Sequence, residues 1–184
     1  MLCCDILYLL FHLLTPFACL FRSGDGMPEG EPVTYGSKIY FEFSSNLGVT
    51  GYLASARASG TPTATQLINK QEVYMRPIEL GSQPLYECAW TLLPEQVDER
   101  IVANGTAVAT GSPVVISHCF TNKRLAAVNV GIPTDFGVEC GVCAHTYTDT
   151  GKVNKLMRET IGRPSNGLIS RSETTENLWS LVFT

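Results

Sequence analysis

The stretch GSPVVISHCFTNKRLAAV, Gly111 to Val128, repeats the plan of an earlier one, GSKIYFEFSSNLGVTGYLAS, Gly36 to Ser55. Each opens on Gly-Ser and then sets apolar residues at alternate positions, Ile39 and Phe41 in one, Val114 and Ile116 in the other. Each passes an asparagine, Asn46 or, after a one-residue shift, Asn122, and ends on Leu-Ala, at Leu53-Ala54 and Leu125-Ala126. Alternation of period two puts every second side chain on one face, which is the signature of a strand. The copies continue alike. QEVYM follows the first and VCAHTY the second, and each closes on a tryptophan strand, AWTLL at Trp90 and LWSLV at Trp179. A unit of about four strands cannot bury its apolar face alone, so such units stack or close on one another. Closure into a barrel also removes exposed sheet edges.

The rest of the body reads the same way. KIYFEF, GYLAS, QEVYM, YECAWTLL, SPVVISHCF, VECGVCAHTY and LWSLVF are short and rich in β-branched or aromatic residues. Many are separated by Gly, Pro, Asn or Thr clusters. EQVDERIVA, Glu95 to Ala103, is the best short helix candidate, and LINKQEV could supply a helical turn. The chain divides into an N-terminal segment over 1–32 and a β domain over 33–184, with one unit in 33–94 and the other in 95–184.

Composition narrows function. The chain has 184 residues, enough for one domain that buries roughly 70% of its unfolded surface. Charged residues make up 16% and the net charge is −4, without a long basic run. Binding driven by phosphate neutralisation is therefore disfavoured, and no nucleic-acid partner is expected. Of the seven cysteines, Cys3, Cys4 and Cys19 lie at the N-terminus. Cys88, Cys119, Cys140 and Cys143 read as reduced, mainly buried small hydrophobes.

MLCCDILYLLFHLLTPFACLF fits no targeting template well. No Lys or Arg precedes its apolar run, Asp5 sits where positive charge belongs, and no A-x-A site follows. Ile6 to Phe21 is shorter than the roughly 20 residues a bilayer needs and contains His12 and Pro16. The reading favoured over a signal or an anchor is a mobile or wrongly assigned N-terminus. RSGDGMPEGEP, Arg22 to Pro32, reads as a linker, and its glycines make no phosphate loop.

Candidate chemistry is thin. Cys140-Gly-Val-Cys143 is a C-x-x-C, but redox pairs want the first thiol at a helix N-terminus, and VECGVCAHTY reads as strand. Cys140, Cys143, His145, His118 and Cys119 could supply zinc ligands, but the spacing lacks a second half-site. His118 and Cys119 are adjacent on a strand and point to opposite faces, so they make no nucleophile–base pair. Asn104-Gly-Thr106 is a glycosylation sequon and also an ordinary turn, the reading favoured here. Thr121-Asn122 reads as a turn whose side chains bond the local backbone. His118 and His145 fall on predicted strands, where buried imidazoles should be neutral with partnered nitrogens.

At VVISHCFTNKRLAAV followed by VCAHTYTDTGKV the chain resembles the cilia- and flagella-associated protein 161 family. The resemblance rests on His118-Cys119-x-Thr121-Asn122, Leu125-Ala126-Ala127, and Ala144-His145-Thr146-Tyr147 with Asp149 two residues on. It covers about Val33 to Thr184, is densest from Val114 to Val153, and finds no counterpart for the apolar N-terminus. It implies a β-trefoil-like, MIR-related fold, of which this chain shows two of three repeat units, as a shortened form or an incomplete gene model would. It also implies a non-enzymatic microtubule inner protein of ciliary and flagellar axonemal doublets, bound to tubulin and neighbouring inner proteins. No catalytic residue, cofactor or metal is expected, and no membrane partner. Residues expected to serve structure or partner contact are His118, Thr121, Asn122, Lys123, Arg124, His145 and Tyr147. The alternatives are a secretory MIR-like module that binds a sugar or other ligand, and a metal-dependent or redox enzyme.

Overall fold

Period-two alternation becomes geometry in strand β2 (Lys38–Ser44), where Ile39, Phe41 and Phe43 are buried and Lys38 is exposed. The computed structural model describes residues 18–23, 31–44, 50–56, 70–77, 83–134, 137–148 and 173–181. The other strands are β1 (Ala18–Ser23), β3 (Thr50–Ser55), β4 (Gln71–Pro77), β5 (Trp90–Pro94), β6 (Pro113–His118), β7 (Leu125–Thr134), β8 (Gly137–Ala144) and β9 (Leu178–Ser180). All pairings are antiparallel, in the order β7-β8-β4-β3-β2-β5-β6-β9, with β1 added on β2. A bridge between Ser117 and Arg124 returns β6 to the start of β7, so the ladder closes on itself as a barrel does. Among the described residues the chain is all-β, with short 3₁₀ turns and no α-helix.

The core lies inside this closed ladder. Ile39, Phe41, Phe43, Leu53, Trp90, Leu92, Val114, Ile116, Leu125, Ala144 and Leu181 form one buried cluster. Burying a side chain such as Leu92 or Ile116 contributes about 2 kcal/mol, so this cluster dominates the stability.

The repeat seen in the sequence recurs bond for bond. Gly36 N–H donates to Leu92 O at 2.9 Å, and Gly111 N–H donates to Leu181 O at 2.8 Å. Ser37 Oγ donates to Thr34 O and Ser112 Oγ to Ala109 O, closing the same turn twice. Both glycines are left-handed, at φ 81° and 75°, a conformation that costs Gly little and other residues more. Ile39 stands opposite Trp90 as Val114 stands opposite Trp179, and Glu42 opposite Tyr52 as Ser117 opposite Arg124. Each indole N–H reaches the matched leucine carbonyl at 2.9 Å: Trp90 to Leu53 O, Trp179 to Leu125 O. A 3₁₀ turn precedes each tryptophan, Tyr86–Cys88 and Thr175–Asn177.

Two readings are revised. Glu95 to Ala103 forms no α-helix; a single 3₁₀ turn, Val97–Glu99, passes into further turns. Ile101 and Val102 lie outward there, so no apolar stripe exists to hold a helix against the core. The QEV of LINKQEV is strand β4, and Leu67 to Asn69 lie outside the described residues. The end of the apolar segment and the start of the linker form strand β1. Backbone register sets Phe21 opposite Phe41 as Leu92 is set opposite Ile116, so β1 takes on β2 the place that β5 takes on β6. Residues 1–17, most of the Arg22–Pro32 linker and Asn46 lie outside the described residues.

Candidate functional site

The site is built at the end of β6, where the chain turns from His118 to Lys123 and enters β7. His118 N–H donates to Lys123 O at 2.8 Å and Asn122 N–H donates to His118 O at 2.9 Å. Asn122 takes the left-handed conformation, φ 53°, that Asn tolerates better than most residues. That position explains the asparagine of the Thr121-Asn122 pair.

His118 is fully buried and packs at a tilt on Trp90, ring centroids 4.8 Å apart. Its Nε2 lies 2.9 Å from Glu87 O, which can only accept, so Nε2 carries the proton. Nδ1 then accepts from the Thr121 hydroxyl at 2.8 Å. Thr121 Oγ1 in turn accepts from Gln71 Nε2 at 3.2 Å, and the same amide donates to Ser55 Oγ at 2.7 Å. Ser55 Oγ donates to Glu72 O at 2.7 Å. A continuous relay thus ties β3 and β4 to the turn and to the Tyr86–Cys88 segment. Burial lowers the His118 pKa to about 4, so the ring is neutral, as the relay requires. Both ring nitrogens are engaged, which leaves neither for a metal.

Arg124 holds the other side. Its Nε donates to Glu173 Oε1 at 3.0 Å, and its Nη1 donates to Ser117 Oγ at 2.5 Å and Asn122 Oδ1 at 2.8 Å. Arg100 Nη2 meets the second Glu173 oxygen at 2.5 Å, and its Nε donates to Pro94 O at 3.1 Å. Burial would raise the Glu173 pKa, but hydrogen bonds from Arg100 and Arg124 outweigh it and hold the carboxyl below its ordinary value. The triad ties residues 100, 124 and 173 into one charge cluster around the buried Glu173.

His145 and Tyr147 sit beyond β8. His145 N–H donates to Arg124 O at 2.7 Å, and its ring meets the Tyr147 ring edge-on at 4.7 Å. Lys70 Nζ lies 4.2 Å from the Tyr147 ring centre, within cation–π range. Burial lowers the His145 pKa, and Lys70 and Lys123 lower it further. Fully buried Asn177 gathers the segment. Its Nδ2 donates to Leu125 O and His145 O, and its Oδ1 accepts from Tyr147 N–H at 2.7 Å.

The expected residues therefore meet in one place, with roles that differ in detail. His118 and Thr121 bond each other, and Asn122 bonds Arg124 where local backbone bonding was expected. Arg124 is turned inward, whereas Lys123 is exposed. His145 acts through its main chain and its ring contact with Tyr147. Glu87, Gln71, Ser55, Arg100, Glu173 and Asn177 went unnoticed in the sequence. Glu173 lies 49 residues from Arg124 and 73 from Arg100, with no motif to join them. For Asn177 a signal existed: it stands two residues before Trp179, as buried Cys88 stands before Trp90. Cys88 and Cys143 are buried free thiols whose pKa burial raises, the reverse of a redox nucleophile, and the Cys140 side chain lies outside the described residues. Among the described residues no His, Cys, Asp and Glu cluster could hold a metal ion, and no helix is long and apolar enough to cross a membrane.

The turn shows solvent an aromatic pair. Phe120 is 62% exposed and packs on Tyr86, 63% exposed, at 4.8 Å between ring centroids. Leu85 beside them is also exposed.

A closed antiparallel ladder with repeated four-strand units, each with its own tryptophan, defines a β-trefoil-like, MIR-related protein. The crystal structure of the SDF2-like protein from Arabidopsis thaliana agrees, at a TM-score of 0.52 and 13% identity over 88% of this chain and 67% of that one, a likeness of fold alone. The chain belongs to the cilia- and flagella-associated protein 161-like domain family, whose model matches residues 20–157. That match begins inside the apolar N-terminus, so part of this segment does have a counterpart in the family. Cilia- and flagella-associated protein 161 of Danio rerio is 28% identical over 134 residues, 72% of this chain and 42% of the relative. The Bos taurus protein is 28% identical over 134 residues, 68% of this chain and 38% of the relative, and the Mus musculus protein 27% over 155 residues, 82% and 49%. The chain thus spans half or less of the curated relatives it matches.

Proposed function

We propose that this chain is a non-enzymatic structural protein of the ciliary or flagellar axoneme, a microtubule inner protein seated in the doublet lumen against tubulin and neighbouring inner proteins. Membership of the cilia- and flagella-associated family supports the compartment. One structural observation carries the rest of the reading. The chemistry-bearing side chains of the site are bonded in pairs, His118 to Thr121 and Arg124 to Glu173, to hold a turn, and that turn offers solvent the Phe120–Tyr86 pair. Catalysis needs a group free to meet a substrate. A contact protein needs a fixed shape and a few aromatic anchors that exclude water on docking.

The test is extraction of ciliated cells that express the tagged full-length protein. Retention in axonemes after detergent, lost on tubulin-solubilising treatment, is the expected result. Release with the membrane and matrix fraction, or an endomembrane pattern, overturns it.

A further inference from the structure

The turn between β5 and β6 carries a second exposed apolar feature that the site above does not use. Ile101 is 89% exposed and Val102 83%. Loops of soluble proteins are normally polar at their tips, and two adjacent β-branched residues held nearly clear of the surface are a standing exposure of apolar area.

The turn is fixed from both sides. Glu99 N–H donates to Gln96 O at 3.2 Å, Arg100 N–H to Val97 O at 3.3 Å, and Ala103 N–H to Glu99 O at 2.8 Å. Behind them, Gly105 N–H donates to Tyr35 O and Tyr35 N–H to Thr106 O, both at 2.9 Å. β-Branched side chains are also stiff at χ1. A rigid knob loses little conformational freedom on docking, so most of its apolar burial counts towards affinity.

Its charge is one-sided. Arg100, the turn's cation, is drawn inward onto Glu173, and its guanidinium also caps Pro94 O. Asp98 and Glu99 are exposed, and Glu95 is half-buried. Among the described residues none of these three acids has an ion-pair partner. An anionic lipid surface would repel such a rim, and a basic one would be drawn to it.

We propose that the Ile101–Val102 knob docks into an apolar pocket with a basic rim on a protein partner within the axoneme. This rests on the axonemal reading, but on a surface separate from the Phe120–Tyr86 pair.

The experiment compares tagged full-length chains in ciliated cells: wild type, Ile101→Ser/Val102→Ser, and Asp98→Asn/Glu99→Gln. Each purified chain is first melted, and the variants should match wild type to within a degree or two, because they alter exposed side chains. Expected is an axonemal fraction of the apolar variant at least tenfold below wild type, and release of the charge variant at lower salt. Wild type and both variants retained alike would overturn the knob while the axonemal reading stands. Wild type washed out by detergent would overturn both. A wild-type self-association that Ile101→Ser/Val102→Ser abolishes would assign the knob to a second copy, and overturn the basic pocket.

Discussion

His118 illustrates how one residue can be fixed by everything around it. Folding takes its pKa from 6.5 down to about 4, so between those values the unfolded chain binds more protons than the folded one. Stability from this ring is therefore full above pH 6.5 and is lost as pH falls through that window, on the order of 3 kcal/mol in all. Glu173 has a depressed pKa, so its contribution is present above its ordinary value of 4.5 and is lost as pH falls through its lower folded value. Chemical denaturation from pH 7 to 4 separates the two. In His118→Gln the fall between pH 6.5 and 4.5 should shrink, whereas in Glu173→Gln it should persist. Thr121→Val removes the hydroxyl that donates to Nδ1 and should cost about 1–2 kcal/mol at pH 7, since a buried acceptor is left bare. An unchanged midpoint in Thr121→Val would mean the relay is not formed in solution.

Among elements, the repeated turn and tryptophan strand offer paired experiments. Trp90→Phe and Trp179→Phe each delete an indole donor, but with different consequences. Leu125 O keeps a bond from Asn177 after Trp179 is lost, and Trp179 is only half-buried. Trp90 is fully buried, packed by Phe41 and His118. Trp90→Phe should cost about 2–3 kcal/mol and Trp179→Phe about 1, measured by urea denaturation. The two glycines differ likewise. Gly111→Ala meets open space and only the left-handed backbone, about 1 kcal/mol. At Gly36 a Cβ would also meet the Asn104 carboxamide, so Gly36→Ala should cost more, and Asn104→Ala should recover the excess in the double variant. These pairs were legible in the sequence because Gly, Trp and period-two alternation each leave a local mark. The helix expected at Glu95 to Ala103 failed because charge and apolar residues in a short window cannot reveal that Ile101 and Val102 face away from the core. The N-terminal strand was hidden because its pairing with β2 is long-range.

Across the whole molecule, closure is the organising fact. The Arg100–Glu173–Arg124 triad pins the C-terminal strand region to the rest of the ladder, and Thr148 bridges to Glu173 beside it. Removing the carboxylate charge in Glu173→Gln leaves two partly buried guanidiniums without their shared counter-charge and should cost about 3 kcal/mol. The strands and their two units could be read from alternation and repetition, whereas closure into a trefoil-like barrel rested on the family resemblance. The triad could not, since its members are joined only by the folded chain. The family resemblance was legible at His118-Cys119-x-Thr121-Asn122, where His118 and Thr121 bond each other and Asn122 takes the left-handed turn position. The measurement that tests the account most directly is subtomogram averaging of axonemes with and without this protein. A density of matching size inside the doublet lumen, present with the protein and absent without it, is the predicted result. A difference on the outer doublet surface or in the membrane, with an unchanged lumen, would contradict the account.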